Sequence, residues 1–141
     1  MTATGSEHPR SPRPNVVDSS AWLAYFAEES TAADFAPAVE DLAHLVVPAV
    51  CLLEVFKAVA RQRGEENALQ AAAAMQRGHV VAVDAALALA AARVGALRRL
   101  ALADSLVYAT ARAVGGVVRT QDAHFEGLPD VRYFPKRPPR S

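Results

Sequence analysis

Asp18 closes the β-branched run Asn15-Val16-Val17, and Asp122 lies just beyond a second such run, Val117-Val118. Glu54 sits between Leu53 and Val55 in the apolar segment AVCLLEVFKAVARQR, and Asp104 stands at the head of ADSLVYATARAVGG. Taken singly, each has a plain explanation. Asp18, Asp104 or Asp122 could cap a helix, a role worth about 1 kcal/mol. Glu54 could pair with Lys57 or share a solvent-facing stripe with Lys57, Ala58 and Arg61. Taken together, they suggest different chemistry. Carboxylates that converge without a neutralising Arg or Lys repel one another, and a divalent cation removes the conflict. An all-oxygen donor set favours Mg²⁺ or Mn²⁺ over zinc.

Other chemistries find little support. There is no HExxH or paired Cys/His spacing, no GxxxxGK[ST] and no GxGxxG. His8, His44, His79 and His124 are scattered, and His124 beside Asp122 reads as a surface residue, with contact to a phosphate as the alternative. The single cysteine, Cys51, excludes an internal disulfide or a multi-cysteine zinc site. Among Val50, Leu52 and Leu53 it reads as a small buried hydrophobe.

The elements that must position the acids follow from composition and periodicity. At 141 residues and 52% apolar content the chain suits one domain with a core of its own. No apolar run reaches the ~18 residues a membrane helix needs, because Lys57, Arg61, Asp84, Arg93 and Arg98 interrupt every candidate. The N-terminus has no apolar signal-peptide core, which predicts a cytoplasmic protein. Fifteen basic residues balance fifteen acidic ones, so bulk charge selects no partner. Residues 1–14, with Pro9, Pro12 and Pro14, suit a disordered leader; 15–134 form the expected domain, and 135–141 a basic tail.

Within the domain, Asn15-Val16-Val17, Leu45-Val46-Val47, Val80 to Val83, Val117-Val118 and Val131 to Phe134 read as strands, the last at an edge. Helices are expected from Ser19, over Thr31–His44, over Ala49–Arg63, over Glu65–Arg77, from Asp84 to about Arg99, and up to the Gly115-Gly116 stop. Pro37 is compatible only with a first turn. The Ala49–Arg63 helix is apolar almost all round, which predicts burial on most sides. Short strands alternating with longer helices imply a three-layer α/β/α fold around a central parallel sheet. In such a sheet Asp18 and Asp122 point into one crevice at the carboxyl ends of their strands.

The segments VVDSSAWLAYF, VPAVCLLEVFKA, LALADSLVYATA and VVRTQDAHFEGL, in this order, resemble a PIN domain, specifically the VapC toxins of bacterial toxin–antitoxin pairs. The likeness spans Asn15 to Phe134 and includes Thr120-x-Asp122 with Phe125 after it. It implies a Mg²⁺- or Mn²⁺-dependent endoribonuclease that cleaves RNA with a metal-activated water. Asp18, Glu54 and Asp104 would be its ligands, with Asp122 as the family's most variable contributor. Ser20 and Thr120 fall where the family places supporting hydroxyls. The resemblance further implies a homodimer and a VapB-like antitoxin, with Trp22, Tyr25, Phe26 and the Val50–Val59 helix as contact surfaces unless they fill the core. The proline-rich leader and basic tail depart from the family. The competing reading is a non-catalytic PIN-like module that binds protein or RNA. A phosphoacceptor domain ranks last, because neither Lys57 nor Lys136 follows an expected strand.

Overall fold

The computed structural model describes residues 12–138. Five strands, β1 (Asn15–Val17), β2 (Leu45–Pro48), β3 (His79–Val81), β4 (Val117–Thr120) and β5 (Val131–Tyr133), form one sheet in the order β3-β2-β1-β4-β5. Every pairing is parallel. Six α-helices accompany it among the described residues: α1 (Ser19–Phe26), α2 (Ala32–Glu40), α3 (Ala49–Arg63), α4 (Glu65–Met75), α5 (Ala85–Arg98) and α6 (Leu102–Val114). This is the expected α/β/α arrangement.

Burial explains the strand sequences. The inner strands β1 and β2 are buried along their whole length, so they need apolar, β-branched residues on both faces. The edge strands β3 and β5 keep exposed positions. Val16, Val17, Val47 and Val118 from the sheet meet Trp22, Phe35, Tyr108 and Phe125 in the main core. The chain runs outward from β1 through β2 to β3, then crosses back to β4 and β5. The strand order therefore reverses between β1 and β4, and that reversal opens a crevice at their carboxyl ends.

Helix boundaries follow local chemistry. Asp84 caps α5 by accepting the Leu87 amide at 2.8 Å, and Gly115 ends α6 in the left-handed region at φ 67°. Gly95 is buried where α5 meets α6, and a Cβ there would collide with Ser105.

Several expectations need correction. The helix expected over Thr31–His44 stops at Glu40 and resumes as a 3₁₀ turn, Leu42–His44. Between them Asp41 leaves the helical region (φ −87°, ψ 77°), and its carboxylate contacts His44 Nδ1 at 3.0 Å, a local bond that competes with helix continuation. Pro37 lies inside α2 and not in its first turn, which costs the Ala33 carbonyl its intrahelical donor on an exposed residue. α3 is not buried on most sides: Cys51 and Val55 are buried, but Leu53 is 59% exposed. It packs chiefly against α4, so its apolar girdle reaches solvent.

Trp22 is core, while Tyr25 and Phe26 are half-buried. Of the leader, residues 1–11 lie outside the described residues. Arg13 is fastened to the Gly115 and Gly116 carbonyls at 3.1 and 3.0 Å and to Asp130 at 3.0 Å. In the tail, Arg137 binds Asp34 and the Ser30 carbonyl at 2.8 and 2.7 Å, while positions 139–141, including Arg140, lie outside the described residues. Among the described residues, no helix is long and apolar enough to cross a membrane.

Candidate metal centre

Asp18 is the single residue between β1 and α1, with extended backbone at φ −81° and ψ 173°. Its Oδ1 accepts the Ala21 amide at 3.0 Å and the Ser20 hydroxyl at 2.8 Å. Its Oδ2 accepts the Thr120 hydroxyl at 2.8 Å. The cap occupies Oδ1, and Oδ2, which accepts the Thr120 hydroxyl, keeps lone-pair capacity. Asp18 is only 4% exposed. Burial pushes its pKa up to about 7, against the hydrogen bonds from Ala21, Thr120 and Ser20, and the nearby Asp122 charge adds to the rise.

Thr120, the last residue of β4, also accepts the Asp122 amide on its hydroxyl at 2.9 Å. One side chain thus ties the acid after β1 to the acid after β4. Ser20 and Thr120 are themselves 3.3 Å apart. Asp122 accepts the His124 amide at 2.9 Å and caps the 3₁₀ turn Ala123–Phe125. Phe125, fully buried, and the Tyr108 hydroxyl, bonded to the Pro129 carbonyl at 2.8 Å, anchor this loop to the body.

Asp104 does not cap the helix it heads. α6 begins at Leu102, and Asp104 lies in its first turn, where the helix dipole favours a negative charge. Burial raises its pKa, Asp122 and Glu54 raise it further, and His124 opposes them. Glu54, half-buried on α3, does not pair with Lys57. Its Oε1 accepts the Ser19 hydroxyl at 2.6 Å. Cys51, one turn earlier, is buried and its thiol is pushed up in pKa by that burial, as a structural cysteine.

The structure brings Asp104, Asp122 and His124 together: one ligand atom from each lies within 4.8 Å of the others. Asp18 and Glu54 stand outside that trio. Asp18 is joined to Asp122 through Thr120, and Glu54 influences Asp104 through space. By sequence His124 is expected at the surface, with contact to a phosphate as the alternative. It is 77% exposed, yet its Nδ1 lies 3.1 Å from Asp122 Oδ1 and 3.7 Å from Asp104 Oδ2. Its position two residues after Asp122, across a tight turn, is the one signal that could have marked it.

Among the described residues, none of Asp18, Glu54, Asp104 and Asp122 pairs with a Lys or Arg. Carboxylate oxygens and one imidazole, with no Lys or Arg paired to them among the described residues, make a donor set that could hold a divalent cation.

The chain matches the family described as PIN domain over residues 16–131, which is most of its length. It belongs to the PIN domain family. Solved structures share this PIN fold at low identity. A toxin–antitoxin complex from Klebsiella pneumoniae is 17% identical with a TM-score of 0.71, the match covering 84% of this chain and 95% of that one. DNA-bound VapBC from Salmonella typhimurium is 15% identical with a TM-score of 0.66, covering 87% and 98%. VapBC2 from Rickettsia felis, bound to a DNA fragment from their promoter, is 12% identical with a TM-score of 0.65, covering 86% and 97%. No curated protein matches the chain in sequence.

Proposed function

We propose that this PIN domain is a VapC-type toxin, a Mg²⁺- or Mn²⁺-dependent endoribonuclease held inactive by a VapB-like antitoxin. One observation carries the reading: acids from the end of β1, from α3, from α6 and from the loop after β4 lie near the β1/β4 reversal, and among the described residues no Lys or Arg pairs with them. The toxin–antitoxin pairs among proteins of the same fold support it.

Asp18, Glu54 and Asp104, together with Asp122, would hold the cation. A bound divalent ion supplies two things at a phosphodiester: it makes water more acidic and offsets the charge that develops on the phosphate. The chain's own residues supply the geometry. Thr120 and Ser20 fix the Asp18 carboxylate, and Thr120 fixes the Asp122 backbone. Ser19 holds one oxygen of Glu54, and among the described residues no hydrogen bond or ion pair takes the other. Burial pushes the Asp18 pKa up to about 7, so near neutral pH about half of the molecules carry a proton there, whereas the form that would hold a cation is the carboxylate.

The toxin would act in the cytoplasm. It would pair with a second copy through the apolar surface of α5 and the start of α6, where Leu89, Leu97 and Leu102 are 68%, 77% and 82% exposed. The decisive experiment uses purified, antitoxin-free protein and a mixed RNA substrate. Cleavage should need Mg²⁺ or Mn²⁺ and stop with a chelator, and Asp18→Asn or Asp104→Asn should abolish it in folded protein. Full activity in both variants would remove the site assignment, and no Mn²⁺ binding by calorimetry would favour the non-catalytic module.

A further inference from the structure

A groove of about 520 Å³ adjoins the acidic site through Ser20 and Gln121, although none of the four site acids lines it. Ser20 and Gln121 form its inner end, and both touch the site: Ser20 donates to Asp18, and the Gln121 amide donates to Ser20 Oγ at 3.3 Å. From there the groove runs between α1 and the junction of α3 with α4. Its outer wall is rich in amides, Gln62, Asn67 and Gln70, flanked by the cations Arg63 and Lys136. Glu29 is the single acid along it, and Gln121 Nε2 already bonds that carboxylate at 3.3 Å.

Lys136 is placed there by the tail. Arg137 is tied to Asp34 and to the Ser30 carbonyl, and Phe134 packs edge-on against Phe35 with centroids 5.4 Å apart. The basic tail is thus strapped across the α1–α2 turn as a wall of the groove. Phe26, which also lines the groove, stacks on Trp22 at 5.5 Å and 22°.

We infer that this groove holds the unpaired RNA strand that flanks the scissile phosphate, with Gln62 and Gln70 as the side chains that read its bases. The inference rests on the ribonuclease reading above. Carboxamides carry a donor and an acceptor side by side, the complement of an unpaired base edge, and they favour no particular charge. Arg63 and Lys136 supply the phosphate contacts, and Phe26 offers a stacking face. A duplex keeps its base edges paired and cannot present them to these amides.

The test uses the cleavage-dead full chain Asp18→Asn, so that binding is read independently of catalysis. It is incubated with a randomised single-stranded RNA pool, and the bound fraction is sequenced. A defined sequence should be enriched, and enrichment should fall about 5-fold or more when Gln62 and Gln70 are both changed to Ala. Lys136→Gln should weaken binding evenly across sequences and lower the slope of log K against log salt by about 0.7. Thermal melting of each variant against the Asp18→Asn parent establishes that the fold is intact. Unchanged enrichment in the Gln62→Ala/Gln70→Ala chain overturns the inference. So does loss of antitoxin binding with RNA selection intact, which would assign the groove to a peptide. Failure of the wild-type chain to cleave RNA, with selection by the groove preserved, would instead sink the nuclease reading alone.

Discussion

Thr120 donates its hydroxyl to Asp18 Oδ2 at 2.8 Å, a bond between residues 102 positions apart in sequence. Thr120 Oγ1 in turn accepts the Asp122 amide at 2.9 Å, so the carboxyl ends of β1 and β4 are locked in register by one side chain. Thr120→Val keeps the shape and removes both roles. Mn²⁺ affinity by calorimetry should fall roughly 10–100-fold, the usual effect of losing a residue that orients a ligand. An unchanged affinity would show that the hydroxyl orients nothing of consequence.

Asp18 imposes a pH dependence on the metal-free fold. Its folded pKa, about 7, lies above the ordinary value of 3.8, so between these values the native state binds more protons than the unfolded chain. Stability from this group is intact below 3.8 and is lost as pH rises through 7, by on the order of 4 kcal/mol in the limit. Burial raises Asp104 in the same direction. Denaturant unfolding of metal-free protein should therefore show higher stability near pH 5 than near pH 8. Added Mg²⁺ should restore stability at the higher pH, and Asp18→Asn should flatten the profile.

Ser19 positions Glu54 through a 2.6 Å bond. Ser19→Ala frees the carboxylate to swing along α3, and should lower Mn²⁺ affinity while leaving thermal stability within about 1 kcal/mol, because a partly exposed side-chain bond contributes little net. Glu54→Gln should cost more than Ser19→Ala in the same calorimetric measurement. Equal losses, or none from Glu54→Gln, would take Glu54 out of the site.

Gly95→Ala tests the α5–α6 contact. The added Cβ collides with Ser105, itself bonded to the Ala101 carbonyl at 2.8 Å, so the helices must part. Urea unfolding should show a loss of about 1–3 kcal/mol, the usual cost of overpacking. The companion change Ser105→Gly should recover most of it.

Much of this protein is legible in its sequence because short-range physics dictates it. β-branched pairs bounded by turn residues become buried strands, and Asp84 and Gly115 mark helix ends through bonds that span a few residues. Asp18 and Asp122 are marked as crevice residues because a parallel sheet sends every strand's carboxyl end to one side. The α3 girdle misleads, since apolar character alone does not reveal how many neighbours a helix will have; α4 covers one side and leaves Leu53 in water. Asp41 breaks its helix through a side-chain bond to His44 that competes on equal terms with the backbone, so periodicity cannot decide the outcome.

Only the tertiary structure decides which acids touch, and through what. The Thr120 bridge, the Ser19 clasp on Glu54 and the approach of His124 to Asp104 join segments between 20 and more than 100 residues apart. Local pattern carries no record of such contacts, because each is set by strand order and helix packing.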